Sequence, residues 1–226
     1  HEAWENVARK LAHEIKNPLT PIQLTLDNLQ SKYLENIDEN KKNKYQENLK
    51  TIHKQIKQIE NLVNEFSDFA RMPKPLFKNQ DIIRIIRENI LFINEIDKNV
   101  RIKLISNYDK ILIKCDSDQL NRIFINLFKN SIESINEKTN KKPNFQKKID
   151  IEILKKDDYI EIIILDNGTG FSTKNLDDLL KPYFTTKPKG TGLGLPIVNK
   201  IINDHNGTLK LLSNKTGAAI KINLPI

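Results

Sequence analysis

The stretch LAHEIKNPLT, residues 11–20, places a histidine, a carboxylate and an amide within five positions of a helical pattern. A histidine on an apolar face would be a packing residue, whereas an exposed histidine beside a carboxylate could be a nucleophile. His13 lies off the apolar stripe of this segment, and Asn17, one turn later, shares its outward face. The sequence therefore predicts an exposed histidine next to Glu14, either an ordinary surface residue or a nucleophile.

Two glycine-rich segments could hold a nucleotide. DNGTG, residues 166–170, follows an apolar strand pattern, so Asp166 lies at a strand end where its carboxylate can accept a hydrogen bond from an exocyclic amine. GTGLGL, residues 190–195, opens a helical pattern, and backbone N–H groups at such a helix start can bind anions. GTGLGL matches neither a dinucleotide fingerprint nor a Walker A loop. For DNGTG, an ordinary turn is the alternative.

A third segment places two amides in an apolar helical pattern. NLFKN, residues 126–130, has Asn126, Lys129 and Asn130 on neighbouring helical positions. Buried amides need hydrogen-bond partners. A hydrated magnesium ion with phosphates would satisfy them, and so would an amide network in the core.

Two long amphipathic patterns must position His13. The apolar stripe of the first consists of Trp4, Ala8, Leu11, Ile15, Leu19, Ile22, Leu26, Leu29 and Tyr33. The second repeats in a heptad rhythm: Tyr45, Leu49, Ile52, Ile56, Ile59, Val63, Phe66 and Ala70. Joined by the polar residues 35–44, the two helices predict a hairpin. Because one hairpin cannot bury two wide stripes, we expect a dimer with a four-helix bundle.

The remainder of the chain, beyond the two prolines of residues 71–75, mixes helical and strand patterns. We predict helices over about 81–97, from a cap at Asp116 through residue 135, and over about 195–204. Strand patterns cover residues 100–106, 110–115, 148–156, 159–166, 207–213 and 217–225. This order predicts an α/β sandwich with helices on one face of a largely antiparallel sheet.

Composition limits the classes of function. The chain has 226 residues and a net charge of +8, but the lysines are spread through both halves, which argues against nucleic-acid binding. No apolar run approaches the roughly 20 residues that cross a bilayer. Without a signal-peptide pattern or an initiator methionine, the chain is expected to be a cytosolic piece of a longer protein. The one cysteine, Cys115, lies in an apolar run and is expected to be a packing residue.

Five motifs, in their order along the chain, carry a family resemblance. HEIKNPLT, NLFKNSIES, DNGTG, KPYFTTK and GTGLGL resemble the H, N, G1, F and G2 boxes of two-component sensor histidine kinases. The region around His13 and the short segment before GTGLGL most resemble the NtrY type of nitrogen-regulation sensor kinase. Ser131, where alanine is usual, and Asn206, where HGG is more typical, depart from the pattern. The family's transmembrane, HAMP and PAS regions are absent from this sequence.

The resemblance implies an α+β fold of two domains. Residues 1–72 would form the dimerisation and histidine phosphotransfer hairpin, and residues 73–226 a GHKL, or Bergerat, ATP-binding domain. It also implies ATP and Mg²⁺ as cofactors, a homodimer, and a response-regulator receiver domain as partner. The location would be cytoplasmic, with the longer parent protein anchored in the inner membrane.

The resemblance also implies roles for the residues of the first helix. His13 would be the phosphoacceptor that attacks the γ-phosphorus of ATP. Glu14 would orient the ring and accept its other N–H proton. Asn17 has the position of a residue that assists removal of phosphate from the response regulator.

In the second domain, the resemblance implies a nucleotide site. Asn130, supported by Asn126, would bind magnesium, Lys129 would contact phosphate, and Asp166 would bind the adenine amine. The remaining nucleotide contacts would come from the glycine loops and the segment between them: Gly168, Gly170, Lys187, Gly190, Thr191, Gly192, Leu193 and Gly194.

The function implied is ATP-dependent autophosphorylation on His13 and transfer of the phosphoryl group to a response-regulator aspartate, with possible regulator phosphatase activity through Asn17. A GHKL ATPase that uses nucleotide only for conformational change would share the glycine segments but would not need an exposed HEIKN. A non-catalytic dimerisation scaffold would need none of the nucleotide motifs.

Overall fold

The computed structural model describes residues 2–34, 37–141, 145–187 and 190–226. They form two compact units, His1–Pro73 and Lys74–Ile226. The first unit is a helical hairpin and the second an α/β sandwich, which confirms the predicted fold class. None of the helices in these ranges has the length and apolar character that a bilayer span requires.

The hairpin consists of helix α1, Glu2–Tyr33, and helix α2, Glu39–Ala70. Half-buried Leu29 and Tyr45 pack against its core, which consists of Leu19, Leu26, Leu49 and Ile56. Other members of the predicted stripes stay exposed on the single hairpin: Leu11, Ile15, Ile22, Tyr33, Ile52 and Ile59. The side chains of Trp4 and Ala8 lie outside the described part of the chain. One hairpin therefore buries only part of its apolar surface.

The connection between the helices is shorter than the predicted residues 35–44. Helix α2 begins at Glu39, because the Asp38 side chain caps it and accepts a hydrogen bond of 3.3 Å from the backbone N–H of Asn40. An ion pair of 3.0 Å between Lys42 and Glu39 supports the first turn. Residues 35–36 lie outside the described part of the chain.

In its described residues, the second unit has three α-helices and a short 3₁₀ helix, Leu176–Leu180. The α-helices are α3, Ile82–Ile96; α4, Ser117–Lys141; and α5, Gly194–Asp204. The strands are β1, Lys78–Asp81; β2, Arg101–Ser106; β3, Leu112–Cys115; β4, Lys148–Lys155; β5, Tyr159–Asp166; β6, Thr208–Ser213; and β7, Ala218–Pro225.

The main sheet has the order β2-β4-β5-β7-β6. β2 and β4 pair parallel, and the other neighbouring strands pair antiparallel. β4 and β5 lie where strands were predicted and pair antiparallel as a hairpin. Isoleucines and leucines alternate along the strands and form rows of buried side chains across the sheet. One row lies in register on four neighbouring strands and consists of Ile153, Ile162, Ile222 and Leu209. β1, which the polar residues 78–81 did not predict, pairs antiparallel with β3 in a separate two-stranded sheet.

Helix α4 lies between α3 and α5 and carries one face into the core. Phe124 and Phe128 on that face are buried, with ring centroids 6.1 Å apart. Asp116 caps the helix as predicted, since its carboxylate accepts hydrogen bonds of 3.0 and 3.1 Å from the N–H groups of Asp118 and Gln119. The N–H of Asp116 itself donates a 3.0 Å hydrogen bond to His205 Nε2. The opposite side of α4 is free to carry functional side chains.

Candidate active site

His13 is exposed on α1 and is not one of the core residues of the hairpin. Glu14 is exposed beside it, with its Oε1 4.0 Å from Nζ of Lys10. Within the described residues, no hydrogen bond joins Glu14 to His13. Asn17 is exposed one turn later on the same helix. These side chains are accessible to a partner and are not part of the core.

A small cavity of about 140 Å³ opens beside His13 between the two helices. Its walls are Ala12, His13, Lys16, Asn64, Ser67, Asp68 and Arg71. Lys16 and Arg71 bring positive charge to this cavity, and Asp68 brings a negative charge.

Helix α4 presents the three polar residues of NLFKN in the second unit. Lys129 is exposed, and Asn126 and Asn130 are half-buried. The Asn126 amide nitrogen donates a 2.8 Å hydrogen bond to the carbonyl of Arg122 one turn earlier. This bond satisfies one end of the amide and leaves Oδ1 as the end that can bind a ligand.

Asp166 ends β5, as predicted, and is buried. Its Oδ1 accepts hydrogen bonds from the N–H groups of Gly168, at 2.9 Å, and Ala218, at 3.2 Å. Its Oδ2 accepts a 3.1 Å bond from the hydroxyl of Ser131 on α4. The carboxylate is therefore fixed by two loops and a helix rather than lying in a solvated turn.

The loop after Asp166 is pinned by a lysine that the sequence analysis did not single out. Lys138 Nζ donates to the carbonyl oxygens of Asn167, Gly168 and Thr216 at 2.7–2.8 Å. It also lies 4.8 Å from the ring centre of Phe145, a cation–π contact. One ammonium group thus joins α4, the DNGTG loop and the turn before β7.

Two glycines of DNGTG allow the loop to pack closely against neighbouring segments of the protein. A Cβ on Gly168 would collide with the backbone of Ser134 and Ile135 on α4. Gly170 has φ +78°, and a Cβ there would lie 3.0 Å from the carbonyl oxygen of Gly217. Both glycines therefore bring the loop against its neighbours, whatever contacts a ligand adds.

The segment before α5 folds back on itself. The N–H of Tyr183 donates a 3.0 Å hydrogen bond to the carbonyl of Gly192, which has φ +71°. The N–H of Leu193 donates a long hydrogen bond of 3.4 Å to the Thr191 hydroxyl, and Gly190 packs against Thr185. Lys187 does not project freely, because its Nζ forms an ion pair of 2.7 Å with Glu133 on α4.

The start of α5 meets the amides of α4. A Cβ on Gly194 would lie 3.4 Å from Asn126 Oδ1 and 3.7 Å from Asn130 Nδ2. The N-cap residue Leu193 has an apolar side chain that cannot cap the first turn, so the N–H groups there can bind an anion. The structure thus brings GTGLGL and NLFKN together.

Two family models match separate parts of this chain. Residues 3–75 match the His Kinase A (phospho-acceptor) domain, and residues 115–226 match the histidine kinase-, DNA gyrase B-, and HSP90-like ATPase. The chain belongs to the histidine kinases. Its phospho-acceptor match contains His13, and its ATPase match contains NLFKN and both glycine loops.

Similar proteins agree with this family and include the NtrY type. An NtrY-like sensor histidine kinase of Rickettsia felis is 37% identical over 96% of this chain and 35% of that protein. The nitrogen regulation protein NtrY of Azorhizobium caulinodans is 36% identical over 99% of this chain and 29% of that protein. The chain therefore spans about a third of the length of these curated relatives.

The fold of this histidine kinase chain resembles that of a kinase chain solved in a complex. The crystal structure of histidine kinase ThkA with response regulator protein TrrA matches with a TM-score of 0.67 at 22% identity. The match covers 97% of this chain and 61% of that chain, and at this identity it concerns the fold.

The donor set of this kinase suits magnesium held mainly by phosphates and water. In the described parts of the chain, no cluster of three or more His, Cys, Asp or Glu side chains could hold a metal ion. Asn126 Oδ1 instead faces the glycine at the start of α5. Mg²⁺ keeps several waters and binds few protein ligands, so two amide residues beside an anion site fit it.

Proposed function

We propose that this histidine kinase chain uses ATP to phosphorylate His13 and then donates the phosphoryl group to an aspartate of a response regulator. The proposal rests on two observations in one chain. His13 is exposed in the phospho-acceptor unit, and in the second unit α4 contacts both Asp166 and the start of α5. A conformational ATPase would need the second feature but not the exposed histidine.

The nucleotide would bind with its base amine at Asp166 and its phosphates between α4 and the start of α5. Lys129 is exposed on α4 and can contact phosphate, as can Lys187 once it leaves Glu133. Asn130 and Asn126 would hold Mg²⁺, which would neutralise phosphate charge when bound. The remaining contacts would come from the backbone of Gly190, Thr191, Gly192, Leu193 and Gly194. The N–H groups of Gly190 and Leu193 would then exchange their bonds to the Lys187 carbonyl and the Thr191 hydroxyl for bonds to phosphate.

In the first step, an unprotonated ring nitrogen of His13 attacks the γ-phosphorus, an N–P bond forms, and the bond between γ-phosphorus and the β,γ-bridging oxygen breaks to release ADP. Glu14 accepts the proton of the other ring nitrogen as positive charge develops on the imidazole. In the second step, a regulator carboxylate attacks the phosphorus, and the N–P bond breaks. ThkA was solved with its response regulator TrrA, which supports a receiver domain as partner.

The proposal is tested by incubating the chain with γ-labelled ATP and following protein-bound label. We expect label that is stable to base and labile to acid, as for phosphohistidine, and its loss in His13→Gln. His53→Gln is the matched control, since His53 lies on α2 beside Asp27 and outside the proposed site. ATP hydrolysis without protein label would favour the conformational ATPase.

We also propose that two hairpins form a homodimeric four-helix bundle. The support is the exposed part of the heptad stripes, where Ile22 is 46% exposed and Ile52 44% exposed. A second hairpin would bury this surface. Sedimentation should give a dimer, and Ile52→Glu should dissociate or unfold it, whereas Gln55→Glu on the exposed face of α2 should not. A monomeric wild-type chain would contradict the bundle.

Membrane anchoring of a longer parent protein stays a prediction from the family resemblance. The curated relatives are about three times as long as this chain, which leaves room for sensory and anchoring regions. Fractionation of cells that express the parent protein would test it, and recovery in the soluble fraction would contradict it.

A further inference from the structure

The buried contact between Ser131 and Asp166 joins α4 and the end of β5, two segments of the proposed nucleotide site. Ser131 is 2% exposed and Asp166 is 6% exposed. The serine oxygen on α4 lies 3.1 Å from Oδ2 of the aspartate at the end of β5. Neither the sequence pattern nor the proposed function assigns this serine a role.

The hydrogen bonds of the Asp166 carboxylate divide unequally between its two oxygens. Each oxygen of an ionised carboxylate has about two lone-pair sites. The N–H groups of Gly168 and Ala218 occupy both sites of Oδ1. Ser131 occupies one site of Oδ2, so one lone-pair direction remains for a further donor.

The serine hydroxyl must be the donor in this contact, because an ionised carboxylate only accepts hydrogen bonds. The bond prevents the carboxylate from turning about its last torsion, since both oxygens are held by groups on different elements. A carboxylate fixed in this way presents its remaining lone pair in one direction and pays little ordering cost when a ligand binds.

We propose that Ser131 is a positioning residue for base recognition, which sets the remaining lone pair of Asp166 Oδ2 toward an exocyclic amine of the bound base. This inference rests on the proposed nucleotide site. A base with a carbonyl oxygen in place of the amine would face the carboxylate with a second acceptor. Ser131 therefore contributes to selection of an amino-purine through Asp166 and does not touch the ligand itself.

The test compares two ligands that differ only in the amine, namely ADP and purine riboside diphosphate. Neither can donate a γ-phosphoryl group, so calorimetry on the full chain reports binding alone. Wild type should bind ADP at least about tenfold more tightly than the analogue, a typical effect of one hydrogen bond to a charged group. In Ser131→Ala, ADP should weaken by about 5- to 10-fold while the analogue stays unchanged.

Thr139→Val is the matched control. It also removes a hydroxyl from α4, but this hydroxyl bonds the helix's own Ile135 carbonyl at 2.9 Å. It should leave both affinities unchanged. Ser131→Cys fills the site with a somewhat larger atom and gives only a weak donor, so ADP should again weaken relative to the analogue, and the test remains available if the alanine variant is poorly folded.

Equal weakening of both ligands in Ser131→Ala would assign Ser131 to general packing and overturn the inference. Tighter ADP binding would show that the serine competes with the base for Oδ2, which also overturns it. Unchanged ADP binding in Ser131→Cys would also overturn the inference. If wild type itself does not distinguish the two ligands, the base site proposed at Asp166 is wrong, which is a separate failure.

Discussion

Glu133 and Lys187 form an ion pair with a distance of 2.7 Å between Oε2 and Nζ, and the pair joins α4 to the segment before α5. Lys187 is a predicted nucleotide contact, but in this arrangement its charge is already paired. A phosphate group that recruits Lys187 must replace Glu133. The pair is therefore expected to oppose nucleotide binding slightly.

Replacing Glu133 by glutamine should raise ATP affinity. Both side chains are partly exposed, so solvent and salt screen the pair and the gain should be small, about two- to fivefold at low ionic strength. Asp178→Asn is the matched control, because it breaks the 2.6 Å pair with Lys181, which is not a predicted nucleotide contact. Titration calorimetry measures both, and weaker ATP binding in Glu133→Gln would contradict the competition.

Lys138→Met should destabilise the second unit and loosen the DNGTG loop. The change removes three charge-assisted hydrogen bonds and leaves the carbonyls of Asn167, Gly168 and Thr216 without this donor. We expect a loss of about 2 to 4 kcal/mol in the free energy of unfolding. Denaturant titration measures this loss, and hydrogen exchange should show faster exchange at the Gly168 and Ala218 amides.

The control for Lys138 is Lys200→Met on α5. Lys200 forms a 2.8 Å pair with Asp204 one turn away on the same helix, and such pairs contribute little. Lys200→Met should change the free energy of unfolding by no more than about 0.5 kcal/mol. Equal losses in the two variants would mean that the three carbonyl contacts add nothing specific.

The sequence predicted those parts of the fold that local patterns determine. Alternation predicted β4 and β5, and an Asp116 cap with apolar spacing predicted α4. β1 was missed because its polar residues form a strand only by pairing with β3, more than 30 positions later. The early start of α2 was missed because Asp38 and Glu39 lie in a run of polar residues that resembles a loop.

In the candidate site, too, local motifs predicted some features, and contacts between distant segments were missed. Motifs placed His13 on an exposed helix face and Asp166 at a strand end, and both placements are seen in the structure. The sequence did not predict the contacts that α4 makes through Ser131, Lys138 and Glu133. Each of these contacts joins segments 29 or more positions apart. Only the tertiary fold determines which helix position meets which loop.

Cys115 should be unreactive in the folded chain. Burial raises the pKa of its thiol to about 11, with a smaller contribution from the negative charge of Asp116. Because the pKa is raised on folding, its contribution to stability is complete below about pH 9 and falls as the pH rises toward 11. Iodoacetamide at pH 8 should modify the denatured chain and leave the native chain unmodified, and rapid native labelling would contradict this burial.

Asn17→Ala should slow removal of phosphate from the response regulator and largely spare autophosphorylation of His13. Asn17 is exposed one turn from His13, so its amide could hold a water in line with a regulator's acyl phosphate. We expect dephosphorylation to slow by about 10- to 100-fold, equivalent to about 1.4 to 2.8 kcal/mol. Both rates are measured on the same preparation with the phosphorylated regulator.

Asn28→Ala provides the control for Asn17, since it removes another exposed amide from α1 more than two turns further along. It should leave both rates unchanged. Because Pro18 directly follows Asn17, a substitution that distorts the helix there would slow both reactions to the same extent. Selective loss of dephosphorylation therefore assigns the amide a catalytic role, equal loss assigns the effect to the backbone, and no loss in either leaves Asn17 as a surface residue.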